Sequence, residues 1–464
     1  MHKSQLYTLS NNDYRLPLAI DLRGKTITAN ADNIPMMSWP NNRWCFEANI
    51  YMLELYEKGL NRRNGGTLKS YAANISHLIR YCFYNQTDFI NLSDSQFVMF
   101  IKGLQGEQKN LNSSVRKRNA NTIISIGRNC LAFLNFVGQF YNQYEFVNKN
   151  GRIRAEQKEF QIKIEGRHRR KTLLRKYWHH NALPAPDSKI KVLPINTNNI
   201  KKLRTAIGEI SNSLFIKYRR RIMLMLLEVT GGRRGEIASL TIKSVKRACE
   251  MQEPMLELIT LKRRGDPIRM IPIPRIDLDM LSNFIEKQRR YVIKNTLGLS
   301  DDHGYVFISE TTGKPIKAQT ISQEIFALAK AAGIEEKVHA HMFRHRFITK
   351  LFVALIEHHS FVNVDDFRRA LLDTTSMMQK VQQWTGHSNL ASLEIYINLA
   401  FDELSSFNKT YDAVILSRLI DSIRNHVALI RSDVNNDMSP GEVMSQVLLL
   451  LDNLEHGLAP SVLM

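Results

Sequence analysis

Residues 341–347 read HMFRHRF, a histidine and an arginine three positions apart, set among aromatic and aliphatic residues. On a helix that spacing puts His341 and Arg344 on one face, so both can reach one ligand. His345 lies beside the pair and is read as structural. Downstream, Gly386-His387-Ser388 is followed, nine positions after its histidine, by Tyr396. Upstream, the apolar run Ile222–Val229 leads directly into TGGRRGE (residues 230–236). Two glycines there allow close approach of the backbone, and an arginine held at that turn can give a bidentate contact to an oxyanion. Between these boxes lies LKRRGDPIRMIPIP (residues 261–274), read as a hairpin of two short strands, 255–261 and 267–273, in which Lys262 is the only lysine.

The four strings, in this order, resemble the tyrosine recombinase (phage integrase) family. The resemblance implies a catalytic set of Arg233, Lys262, His341, Arg344, His387 and Tyr396. Arg233 is preferred over its neighbour Arg234 by its spacing from Thr230 and to Glu236, and Glu236 is implied to orient the basic groups. The chemistry is coherent. A phosphodiester attacked by an oxygen nucleophile gathers negative charge, which fixed cationic donors can meet without a metal. The family's reaction implies that Tyr396 attacks the phosphorus and that Lys262 protonates the departing 5′ oxygen. A 3′-phosphotyrosyl bond would conserve the energy of the broken ester, so rejoining requires neither ATP nor a metal. No cofactor is expected.

Composition agrees with a polyanionic partner. The 464 residues hold 64 Lys plus Arg against 44 Asp plus Glu, a net charge of +20, with a sequence pI near 9.7. With 44% hydrophobic residues the chain is globular. No apolar run is long enough to span a bilayer, and the first residues lack the apolar stretch of a signal peptide, so a cytoplasmic, nucleoid-associated protein is expected. Cys45, Cys82, Cys130 and Cys249 are far apart, without zinc-ligand spacing, and no metal site is expected. Glu357-His358-His359 and Asp365-Asp366 form no closed ligand set and are read as a polar loop inserted between two catalytic helices.

The expected fold is mainly α with a small β-sheet. Residues 1–48 carry a short extended stretch near Leu16–Ile27 and have no assigned role. Residues 49–148 read as a helical core-binding domain. One helix there begins near Thr67, with Leu68, Tyr71, Ile75, Leu78, Ile79 and Phe83 at helical spacing, and another follows Asn112-Ser113. Residues 149–194 form a basic interdomain linker. Within it, residues 149–176 hold eleven Lys or Arg against three Glu, and Arg167, Arg169, Arg170 and Lys171 are candidates for phosphate contact. Residues 195–410 form an α+β catalytic domain, with a third strand at Val306–Ser309 and a helix at Gln319–Ala332. Residues 411–464 form a helical tail that could dock on a neighbouring protomer. The resemblance implies a C-shaped clamp on double-stranded DNA, a homotetramer exchanging strands through a Holliday junction, and accessory DNA-bending proteins. It would be an integrase-type enzyme of a mobile genetic element. Two alternatives use the same scaffold: a topoisomerase-like or telomere-resolving enzyme, and a catalytically silent DNA-binding or architectural protein.

Overall fold

Apolar residues every three to four positions build four helices between residues 46 and 140: α1 (Phe46–Leu55), α2 (Gly66–Tyr84), α3 (Asp94–Gly106) and α4 (Ala120–Phe140). The computed structural model describes all residues except 1–4, 61–65, 110–114, 166–169, 189–191, 261–267, 374, 387–391, 406–420, 432–438 and 459–464. It divides into two units, Met1–Lys163 with Thr172–Ile190, and Lys191–Met464 with Ile164–Lys171.

In the first unit, Ile123, Ile126, Leu131, Leu134 and Val137 of α4 are buried in one core with Leu68, Ile75, Leu78 and Ile79 of α2. The cap of α4 is Asn119, whose side chain accepts the Thr122 N–H at 2.9 Å, so the helix starts later than the Asn112-Ser113 signal implied. Helix α3 was not foreseen. Ser93 and Gln96 close a reciprocal capping box at its start. Before α1, strand β1 (Tyr7–Leu9) pairs with β4 (Pro35–Met37), and β2 (Arg15–Ile20) with β3 (Thr26–Asn30). The extended stretch at Leu16–Ile27 is therefore a hairpin, and buried Leu6, Ile34 and Met37 tie this segment to the helical core.

The basic segment after α4 carries strands. Following the short parallel pair β5 (Val147–Asn148) and β6 (Ile153–Arg154), strands β7 (Glu156–Glu165) and β8 (Arg170–His179) form a two-stranded sheet. Near its base the Arg128 guanidinium lies 4.1 Å from the centre of the Tyr177 ring. Of the proposed phosphate contacts, Arg167 and Arg169 fall outside the described residues, and Arg170 and Lys171 open β8.

The second unit is built round α6 (Leu214–Thr230), which packs with α5 (Thr197–Ile210), α7 (Arg234–Ala238), α9 (Arg275–Phe284) and α12 (Ala340–His358). Helix α8 (Ile242–Cys249) lies against the hairpin of β9 (Met255–Ile259) and β10 (Ile268–Pro272), whose register pairs Ile259 with Ile268 and Met255 with Pro272. A π-helical segment, Ile285–Arg289, joins α9 to α10 (Arg290–Thr296). The expected helix near Gln319 is α11 (Ala318–Ala331). The third strand expected at Val306–Ser309 is not formed. Val306, Phe307 and Ile308 are buried, but only single bridges, Thr241 with Tyr305 and Ile308 with Pro315, pair this segment.

The insertion after HMFRHRF is mainly helical rather than the expected polar loop, because apolar residues at helical spacing, among them Phe352, Ile356, Phe367 and Leu371, bury one side of it. It extends α12 to His358 and adds α13 (Val364–Asp373), which leads into α14 (Thr375–Thr385) and, further on, α15 (Glu394–Ser405). Ile348, Phe352, Phe367, Val381, Leu393, Ile397 and Ala400 make a core for these elements. In the tail, residues 421–431 and Pro440–Leu458 are helical, and Ile430 and Leu450 bury against Ile276 of α9. Among the described residues no helix is long and apolar enough to cross a membrane, and no group of three or more His, Cys, Asp or Glu is placed to hold a metal.

Candidate active site

Six consecutive residues of α6, Ile222–Leu227, are buried, so the helix delivers its C-terminal end to a fixed place inside the unit. It ends on Gly231 at φ 56°, in the left-handed region that glycine tolerates. A Cβ there would lie 2.6 Å from the Phe347 ring. The Thr230 hydroxyl donates to the Leu226 carbonyl at 2.6 Å and accepts the Gly232 N–H at 3.1 Å, which closes the turn. Arg233 follows at the start of α7, its guanidinium only part-buried. Arg233 Nη1 donates to Glu236 Oε1 at 2.6 Å, and its backbone N–H donates to Oε2 at 3.0 Å.

Glu236 is buried and has a second partner. Its Oε2 accepts from Arg269 Nη2 at 2.7 Å, and Arg269 Nη1 donates onward to the Trp384 carbonyl. Burial would raise the Glu236 pKa, but the guanidiniums of Arg269 and Arg233 outweigh it and hold the carboxyl below the ordinary range. The sequence reading missed Arg269. It occupies an inward position of β10, alternating with buried Ile271, where an apolar residue is normal. A charge at such a position requires a partner, and that was the available signal.

Arg344 is 1% exposed. Its Nη1 donates to the Gly231 carbonyl at 2.9 Å and its Nη2 to the Thr385 carbonyl, so the HMFRHRF helix is bolted to both the TGGRRGE turn and the residue before Gly386. Gly386 has φ +64°, and a Cβ on it would lie 3.6 Å from Arg233 Nη1 and 3.5 Å from Arg269 Cδ. His387 and Lys262 lie outside the described residues, although Gly386, next to His387 in the chain, is at the site.

Tyr396 sits in the first turn of α15 and is 4% exposed. Its ring packs on His345 with centroids 5.0 Å apart, and His345 meets His341 edge to face at 4.8 Å. His341 itself is exposed. Burial raises the Tyr396 phenol above its ordinary pKa, while Arg344 and Arg233 act in the opposite direction. Of the six sequence-derived residues, the fold therefore gathers Arg233, Arg344 and Tyr396 directly, with His341 one ring away.

Arg233 and Arg269 thus share the Glu236 carboxylate, and Arg344 adds a third guanidinium that has no direct pairing with it. Their mutual repulsion lowers the Arg344 pKa beyond the effect of burial, to about 9, which leaves it cationic at neutral pH. Such a site favours an anion that can accept from two arginines.

The chain is similar to several known proteins. The phage integrase family model matches residues 195–360. Tyrosine recombinase XerC of Rickettsia bellii is 22% identical over 348 residues, 73% of this chain and 88% of the relative. XerC of Proteus mirabilis is 24% identical over 198 residues, 43% of this chain, and XerD of Staphylococcus aureus is 24% identical over 187 residues, 40% of it. Each of these two matches spans about half of the relative's length, 52%. Among solved structures, XerH site-specific recombinase in a post-cleavage complex with palindromic difH substrate is 17% identical, covering 78% of this chain and 86% of that one, with a TM-score of 0.45. Lambda integrase bound to DNA is 15% identical, covering 74% and 98%, with a TM-score of 0.39. Residues 195–360 thus match the phage integrase family model, and the chain is similar to tyrosine recombinases over that stretch.

Proposed function

We propose that the protein is a site-specific DNA recombinase that cuts and rejoins strands through a covalent tyrosine intermediate. The observation that carries this reading is the meeting of Arg233, Arg344 and Tyr396, from three separate segments, in a largely buried cluster of excess positive charge. A phosphodiester between the two arginines would have its non-bridging oxygens met by guanidinium donors as charge develops. The Tyr396 oxygen then attacks phosphorus, leaving a 3′-phosphotyrosyl bond. Lys262 protonates the 5′ oxygen, and His341 and His387 hydrogen-bond the phosphate. Glu236, held by Arg233 and Arg269, keeps the first arginine aimed.

Around that centre we place double-stranded DNA contacted by the basic β7–β8 segment. Four protomers exchange strands through a Holliday junction, and the C-terminal tail docks on a neighbouring protomer. A covalent-trapping assay tests the core of the reading. Nicked duplexes drawn from the DNA flanking the gene are incubated with wild type and with Tyr396→Phe, then run on denaturing gels. A shifted protein–DNA band in wild type alone is the expected result. Clear binding with no trapped wild-type product on any flanking sequence would move the protein to the catalytically silent reading.

A further inference from the structure

A ring packed on the nucleophile belongs to none of the six residues named for the reaction. His345 packs on Tyr396 at 5.0 Å between centroids, tilted by 45°, and is 6% exposed. Its Nδ1 is buried and has no hydrogen-bond partner among the described residues. A buried imidazole nitrogen left without a partner normally costs stability, and few such atoms survive in folded proteins without a task. Here the uncommitted atom belongs to the side chain whose ring packs on that of Tyr396.

We propose that His345 is a further catalytic residue, the acceptor of the Tyr396 proton. The inference rests on the reading of Tyr396 as nucleophile. In the tautomer protonated at Nε2, Nδ1 offers a lone pair. As the Tyr396 oxygen forms its bond to phosphorus, the phenol O–H breaks and the proton passes to Nδ1, making an imidazolium. The bond from phosphorus to the 5′ oxygen breaks, and that oxygen leaves as a hydroxyl with the proton supplied by Lys262. In rejoining, the 5′ hydroxyl returns its proton to Lys262 as its oxygen attacks phosphorus, the bond from phosphorus to the Tyr396 oxygen breaks, and the imidazolium returns its proton to that phenol oxygen.

The surroundings keep the acceptor in its working form. His345 is pulled down to about 4, first by burial and then by His341, His339 and Arg344, so it is neutral at physiological pH. The groups facing it are these three from α12 and its N-terminal approach, and Tyr396 from α15. A phosphate bound between Arg233 and Arg344 adds a negative charge, which raises the basicity of the imidazole when the proton must move. His341 is exposed, whereas His345 is buried against the Tyr396 ring.

The test is single-turnover cleavage of a nicked duplex that wild type cleaves, with DNA binding measured in parallel. His345→Phe keeps the packing on Tyr396 and removes the nitrogen. It is expected to bind DNA as wild type does and to cleave about 100-fold more slowly. Its rate should rise with pH where the wild-type rate is flat. Cleavage within threefold of wild type, with an unchanged pH profile, overturns the proposal. Should His345→Phe fail to bind or fold, His345→Asn is compared with wild type after 3-fluorotyrosine is placed at position 396. A more acidic phenol is expected to speed the variant more than the wild type, and equal acceleration overturns the proposal. Absence of covalent product from wild type itself instead overturns the reading of Tyr396 as nucleophile.

Discussion

Glu236 Oε2 lies 2.7 Å from Arg269 Nη2, and both residues are buried, with Glu236 at 1% and Arg269 at 2% exposure. The same carboxylate holds Arg233, so Arg269 acts on the candidate phosphate-binding arginine through a shared anion. Removing one partner of a buried pair leaves a charge uncompensated, which typically costs about 3–5 kcal/mol. Arg269→Ala is therefore expected to lower unfolding free energy by that amount, measured by urea denaturation. Arg269→Lys keeps the charge but cannot span both Glu236 and the Trp384 carbonyl, and should fold while losing covalent trapping by about tenfold or more. Wild-type trapping by Arg269→Lys would show that Arg233 needs no such support.

Two glycines separate packing from aim. Gly231→Ala would force a Cβ to within 2.6 Å of the Phe347 ring at a φ of +56°, with the Arg344 hydrogen bond on the same residue. A stability loss of about 2 kcal/mol or more is expected, read as a fall in the urea midpoint. Gly386→Ala meets only ordinary contacts, 3.5 Å from Arg269 and 3.6 Å from Arg233, at a φ of +64°. Its stability cost should be nearer about 1 kcal/mol, from the backbone alone. Trapping should suffer more than stability, because Gly386 lies against Arg233 and Arg269 and precedes His387 in the chain.

How much of this was legible follows from where the information sits. Arg233, Arg344 and Tyr396 are readable because each lies in a local string whose spacing fixes its neighbours. Arg269 is not, since its partners Glu236 and Trp384 are 33 and 115 residues away. The β7–β8 pair was hidden by its charge. Phe160, Ile162 and Ile164 alternate with polar residues as a strand requires, but the density of Lys and Arg reads as linker. Helix α3 carried its Ser93–Gln96 cap in plain view. Val306–Ser309 erred the other way, because an apolar run signals burial and not pairing.

The acid limb of stability should report on Arg289 and Asp302. Arg289 is 1% exposed and donates through Nη1 to Asp302 Oδ2 at 2.7 Å, and through Nε to the Tyr305 carbonyl at 2.6 Å. Hydrogen bonding to Arg289 pulls the Asp302 carboxyl down to about 2. The folded value lies below the unfolded one, so the contribution is complete above about pH 4 and is lost as pH falls through about 2. Asp302→Asn should therefore cost on the order of 1 kcal/mol at neutral pH, after allowance for solvent screening. The difference from wild type should shrink as the solution is acidified through that window. A difference independent of pH would assign the role of Asp302 to its hydrogen bonds with Gly304 and Arg289 as neutral contacts.

The tail offers a test of assembly. One side of the helix Pro440–Leu458 buries Leu450 with Ile430 and Ile276, while Met444, Leu448, Leu449 and Leu451 remain exposed, at 61%, 54%, 44% and 52%. Exposed apolar residues grouped on one short helix favour burial against another protein surface. If the tail docks on a neighbouring protomer, Leu448→Asp should leave the monomer's urea midpoint within about 0.5 kcal/mol of wild type, as expected of an exposed site. It should also reduce higher-order complexes on DNA in native gels. Deleting residues 411–464 should have the larger effect on assembly, because it removes the whole contact. Unchanged assembly by the deletion variant would sink the docking idea and leave this helix a cis element whose work is to cover Ile276.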